Sequence, residues 1–180
     1  RADDLQSGAM TATARFRPLS RALQQRRNEP SHLRIDGDDP LDTRCNDVTF
    51  EGAATSLQLH LRIAPGDFGR FYNAAQMATV PAIAAGANSP TFLGHRLWRE
   101  TRVALFKQAV DARNEAERRS GRQARWSFGS GWVHGGALEL FEEAVRVHEP
   151  LLPIVSGEDA LAQLARGAVP RLEEIRLHQG

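Results

Sequence analysis

Cysteine, lysine and long apolar runs are all scarce in this 180-residue chain, and each scarcity removes a class of protein. The single cysteine, Cys45, excludes an internal disulfide and any multi-cysteine zinc cage. Its neighbour Arg44 is a cation able to lower a thiol pKa, but no histidine stands nearby in sequence to act as a base, so it reads as inert. No run of about 18 apolar residues exists, and the charged opening Arg1-Ala2-Asp3-Asp4 does not resemble a signal peptide. The expectation is a cytoplasmic protein with no membrane partner. Only one of the 23 basic residues is a lysine, Lys107, and 22 acidic residues bring the net charge to +1. Near balance argues against a general nucleic-acid or membrane-surface binder, which carries a strong basic excess. A GC-rich genome also produces an arginine bias, so arginine count alone is weak evidence for phosphate binding.

What is present suffices for one real core. At 41% hydrophobic the chain is expected to form a single domain over 1–180, or a large part of one. It opens without methionine and stops on Gln179-Gly180 directly after a strand-like segment, so a piece of a longer protein is expected. Phe16, Leu19 and Leu23 at spacings of three and four predict a helix over 11–27, with Pro18 in its first turn. Leu33-Arg34-Ile35-Asp36 alternates like a short strand, and Asp36-Gly37-Asp38-Asp39-Pro40 breaks it. From Val48 to Ile63 apolar residues recur at every second position, which predicts a strand interrupted at Gly52-Ala53-Ala54, with Ser56, Gln58, His60 and Arg62 on its second face.

Pro65-Gly66-Asp67 stops that strand and caps a largely buried helix reaching about Ala87, kinked at Pro81. A second helix is expected from Arg96 to about Arg119, with Leu97, Leu105 and Val110 on its stripe and arginines opposite. Trp126-Ser127-Phe128 reads as a brief strand entering the turn Gly129-Ser130-Gly131. Helices follow over 137–147 and 158–165, and Ile175-Arg176-Leu177-His178 closes as a strand. Strands and helices without regular alternation, and no glycine-rich phosphate loop after a strand, favour α+β over a Rossmann or P-loop fold.

The chemistry concentrates between Glu51 and Arg113. On the expected strand, Gln58 and His60 point the same way about 7 Å apart. An amide and an imidazole so placed can grip a carboxylate or hold a metal bound to nucleotide phosphates. The same pattern describes the exposed face of any amphipathic strand, and spacing alone favours that plainer reading. Asn88-Ser89-Pro90 either ends the buried helix, as Asn and Pro commonly do, or supplies hydrogen bonds to a ligand. Arg96, Arg99, Arg102 and Arg113 fall in one expected helix, with Arg99 and Arg102 a turn apart; solvated arginines are the commoner case, and guanidinium forks recognising phosphate the functional one. Glu100 either neutralises a neighbouring arginine or ligates Mg²⁺. Ser127 to Gly131 offers backbone N–H groups to an anion, or is an ordinary turn. His32, His95, His134, His148 and His178 show no zinc-motif spacing. The basic clusters at 15–27 and 113–125 carry no interleaved aromatics, so solvated helix faces are expected there and no nucleic-acid partner.

Taken together, Thr55-Ser56-Leu57-Gln58-Leu59-His60-Leu61, Ala87-Asn88-Ser89-Pro90, Gly94, Arg102 and Ser127-Phe128-Gly129-Ser130-Gly131-Trp132 resemble the glutamate-cysteine ligase type 2 family of ATP-dependent carboxylate-amine ligases. The resemblance spans roughly 10–180 and is strongest over 48–113. It implies a glutamine-synthetase-like fold, an antiparallel sheet forming a cradle with helices on its outer face. It also implies ATP and Mg²⁺ as cofactors, and glutathione-biosynthesis-like chemistry in which glutamate is phosphorylated on its γ-carboxylate and an amine displaces the phosphate. By matching position, Thr55, Gln58 and His60 face substrate or metal, Asn88 and Ser89 line the site, and Arg102 contacts phosphate. Arg99 is the second candidate catalytic guanidinium, Arg113 a candidate nucleotide contact, and Glu51 with His60 the candidate metal ligands. The acidic cluster such ligases carry on an early strand has no counterpart here, so the chain by itself is expected to show little or no ligase activity. A non-catalytic ligand-binding or protein-interaction domain on the same scaffold is the alternative, and exposed sheet edges favour a homo-oligomer.

Overall fold

The structure, a computed structural model, describes residues 16–46, 49–150 and 155–175. It is an α+β arrangement whose described strands make two small antiparallel ribbons. The first ribbon pairs β1 (Ser31–Ile35) with β2 (Leu41–Cys45), from Ser31 opposite Cys45 to Ile35 opposite Leu41. The turn lies where Asp36 to Pro40 predicts it, and the paired second strand went unpredicted. Ser31, Leu33 and Ile35 point inward while His32 and Arg34 point out, the period of two that makes one face of a ribbon a core wall. Leu33, Ile35, Leu41 and Cys45 pack with Phe50, Leu97, Leu105 and Ala109 to form that core.

Helix α1 (Phe16–Arg27) places Pro18 in its first turn and buries Leu23. Its last residue, Arg27, is buried and donates to the carbonyls of Ala109 at 3.0 Å and Asp111 at 2.9 Å. The Ala109 carbonyl ends α4 (Thr101–Ala109) and that of Asp111 lies just beyond it, so a cation sits where the helix dipole is negative. Burial lowers the Arg27 pKa, partly offset by Asp111. Helix α4 lies against β1, and Gln108 grips the strand edge: its Oε1 accepts from the Arg34 N–H at 2.8 Å and its Nε2 donates to the Arg34 carbonyl at 2.9 Å.

Several expectations are corrected. The strand over 48–63 is not formed: Thr49–Gly52 is a helical turn, α2, that carries Phe50 into the core, and residues 53–64 have no regular structure. Val48 lies outside the described residues. A single strand leaves its backbone groups unpaired, so alternation without a neighbouring strand does not hold the conformation. The helix expected over 96–119 is two helices, α4 and α5 (Glu115–Arg119), with Arg96 in a strand. Asn114 and Glu117 form a reciprocal capping box at the start of α5, an Asn-x-x-Glu signal legible in the sequence. Trp126 to Phe128 is a bend rather than a strand, with Trp126 set edge-on to Phe106 at 5.7 Å.

Helix α3 (Phe68–Gly86) has nearly the expected bounds and contains Pro81, but none of its residues is buried. The Asn73 side chain meets the backbone of Val133 at 2.8 and 3.0 Å. Helices α6 (Leu138–Val147) and α7 (Ala160–Ala165) fall where they are expected. Of the expected closing strand, Ile175 ends a helical turn over 173–175, and 176–178 lies outside the described residues. Antiparallel pairing is thus present, while the wide cradle sheet is not among the described elements.

Two positions test the core. Phe50→Ala removes a side chain only 2% exposed and is expected to cost about 3–5 kcal/mol. A Cβ at Gly37 would lie 2.5 Å from the Cα of Leu97, so Gly37→Ala is expected to cost about 1–3 kcal/mol. Urea unfolding measures both, and wild-type midpoints would refute this packing.

Candidate functional site

After α3 the chain leaves the helix at Ala87 and runs through Asn88-Ser89-Pro90 into β3 (Thr91–Phe92) and β4 (His95–Arg96). The turn between those strands has Leu93 at φ 53° and Gly94 at φ 91°. Two positive φ values are what a tight hairpin of this hand requires, and glycine accepts one without strain. Ser89 N–H then donates to the Arg99 carbonyl at 3.0 Å, and Leu97 N–H to the Pro90 carbonyl at 2.8 Å. This fold-back sets Glu100 and Arg102 beside Asn88 and Ser89.

Glu100 is the hub. It is 7% exposed, and its Oε1 accepts from the Ser89 hydroxyl and from Arg102 Nε, each at 2.7 Å. Oε2 accepts from Arg102 Nη2 at 2.9 Å and from the Asn88 N–H at 3.4 Å. The hydrogen bonds from Arg102 hold its pKa down to about 2; burial opposes them, and Ser89 and Asn88 add to them. Glu100 in turn raises the pKa of Arg102. The guanidinium also donates to Asn88 Oδ1 at 2.6 Å and to the Thr55 carbonyl at 3.0 Å. Residues 47 positions apart in sequence therefore meet at one side chain.

The structure thus gathers Asn88, Ser89, Arg102 and the backbone of Thr55, and adds Glu100 in the role of arginine partner. Gln58 and His60 are exposed on the irregular segment that follows Thr55 rather than on a strand face. Arg99 is exposed, lies outside α4 and contributes its carbonyl, so it does not share a helix face with Arg102. Arg113 stands between α4 and α5, forked onto Asp111 at 2.9 and 2.8 Å and onto the Arg122 carbonyl at 2.7 Å. Burial alone would raise the Asp111 pKa, but the bonds from Arg113 leave it below the usual range. Glu51 is half-buried on α2. Among the described residues no group of three or more His, Cys, Asp or Glu side chains is placed to hold a metal ion.

The glycine-rich turns also bind anions, but the anions are the chain's own. Glu139 accepts from the backbone N–H of His134 and Gly135, and Glu143 from the Ser130 hydroxyl at 3.1 Å. Four arginines of the two basic clusters are similarly occupied: Arg26 pairs with Glu149, Arg118 with Glu29, Arg119 with Glu115 and Arg122 with Glu117.

The Glu100 pKa makes stability depend on pH in a defined window. A carboxylate depressed from 4.5 to about 2 contributes fully above about pH 4.5, and its contribution is lost as pH falls towards 2. Glu100→Gln is expected to cost about 2 kcal/mol at pH 7, with the gap to wild type closing through that window. Urea midpoints at pH 7 and pH 3 read this, and a gap that stays constant counts against the pairing. No protein family, curated protein or solved structure in the comparisons matches the chain.

Proposed function

We propose that the chain is part of an ATP-dependent carboxylate-amine ligase of the glutamate-cysteine ligase type. In this reading ATP phosphorylates the γ-carboxylate of glutamate, and an amine displaces phosphate to form the amide. The observation that supports it is the convergence of Thr55, Asn88, Ser89 and Arg102, brought together from separate stretches of the motif set. In this reading Asn88 and Ser89 line the site, and the exposed Gln58 and His60 are open to an approaching substrate. Arg102 acts first as a positioning residue, because four of its hydrogen bonds go to Glu100, Asn88 and Thr55. A transferred phosphate competes with Glu100 for that guanidinium.

Mg²⁺ is not accommodated by Glu100, whose carboxylate is filled by Arg102, Ser89 and Asn88. Glu51 and His60 do not stand in a larger ligand group among the described residues. The donor set of the described residues therefore does not by itself make a divalent-cation site. The ligase reading places the remaining ligands outside these residues.

The second reading, a non-catalytic ligand-binding or protein-interaction domain on the same scaffold, draws on the degree to which Arg102 is already occupied. The protein expressed from its complete reading frame separates the two. The ligase reading expects Mg²⁺-dependent ATP binding and amide formation from glutamate and an amine, with little or none from the 180-residue chain alone. Gln58→Ala and His60→Ala are expected to lower kcat/KM about 100-fold with the melting temperature unchanged, since both side chains are exposed. Absence of Mg²⁺-dependent ATP binding in the complete protein would leave the scaffold reading.

A further inference from the structure

A cavity of about 170 Å³ is walled by residues of α1, β1, α4 and α5. At about 30 Å³ for each water in the liquid, it has room for roughly five waters or for one small organic molecule. None of its lining residues belongs to the Glu100 cluster, so it is a site apart from the one the ligase reading uses.

Most of the polar groups around the cavity are already committed. The Gln108 amide is taken by the Arg34 backbone, and His32 Nε2 meets Asp42 Oδ1 at 2.7 Å. Asp111 carries the fork from Arg113, and Glu29 is paired with Arg118. Two lining groups are left over. Arg27 is 6% exposed, yet both of its hydrogen bonds go to neutral carbonyls and no described carboxylate forms an ion pair with it. Ser31 is 4% exposed, and its hydroxyl has no hydrogen-bond partner among the described residues. Covered charges are ordinarily paired and covered hydroxyls ordinarily bonded, so both are exceptions in one wall.

Each carboxylate that lines the cavity is matched by an arginine, and Arg27 is the charge in excess. Burial depresses its pKa; Asp111 partly offsets this, Arg118 adds to it and Glu29 opposes it. That is the behaviour of a cation short of a counter-charge. One negative charge that also offers an acceptor to Ser31 would complete the wall. A carboxylate does both with a single group, one oxygen for the guanidinium and one for the hydroxyl. A doubly charged phosphate brings one charge too many beside Glu29 and Asp111.

We propose that this cavity binds a small, singly charged carboxylate whose oxygens accept from the Arg27 guanidinium and the Ser31 hydroxyl. Arg118, held by Glu29 at the same wall, adds attraction at longer range.

Acetate titrated into the full 180-residue chain at pH 7 is expected to shift the Arg27 Nε–H resonance saturably, whereas acetamide, its neutral isostere, does not. Ser31→Ala removes the hydroxyl donor and is expected to weaken acetate about fivefold. Glu29→Gln removes a lining carboxylate that repels the ligand and is expected to tighten acetate about threefold, a gain that a misfolded variant cannot produce. Wild-type chain that shows no saturable shift, or that responds equally to acetamide, overturns the proposal. So does either variant binding acetate with unchanged affinity, or inorganic phosphate at pH 8 binding more tightly than acetate.

Discussion

A carboxylate that is almost fully covered has to be compensated, and Glu100 determines how the middle of this chain is arranged. Its oxygens draw in the Ser89 hydroxyl, the Asn88 N–H and two nitrogens of Arg102. Arg102, once fixed, reaches Asn88 and the carbonyl of Thr55. Removing one member of such a set leaves a poorly solvated charge behind, which costs more than the bond itself. The β3–β4 hairpin is the backbone device that makes the cluster possible, because it returns the chain to Ser89 eleven residues later.

The same logic recurs around the core. Arg27 holds two carbonyls at and just beyond the end of α4, Arg113 is forked onto Asp111, and Glu139 fills the N–H groups at His134 and Gly135. Groups that look available for ligands in a linear reading are largely used to hold loops. Anion-binding geometry and arginine forks are therefore weak signs of function in this chain until the internal partners are known.

The β1 strand, the turn after it and the bounds of α3 and α6 were legible because each is fixed by local pattern and local stop signals. Most of the failures share one cause: the deciding partner is distant in sequence. Leu57 to Ile63 has the right alternation, but alternation specifies a strand only when another strand lies beside it. Helix α3 has an apolar composition, yet the described residues place little against it apart from the stretch at Val133. Arg102 was legible as a candidate site residue. Its commitment to Glu100, two positions away and turned back from the start of α4, was one of two options the sequence left open, and Thr55 is 47 residues away. The start of α5 was readable from Asn114 and Glu117 and was obscured by the longer apolar stripe around it.

Gln108 gives the β1–β2 ribbon a different status from the rest of the surface. Its amide satisfies both backbone groups of Arg34, the donor and the acceptor that an incoming strand would otherwise use. A single glutamine thus serves as a one-residue terminator on that border. Any enlargement of β-structure in this molecule has to begin somewhere other than the outer margin of β1.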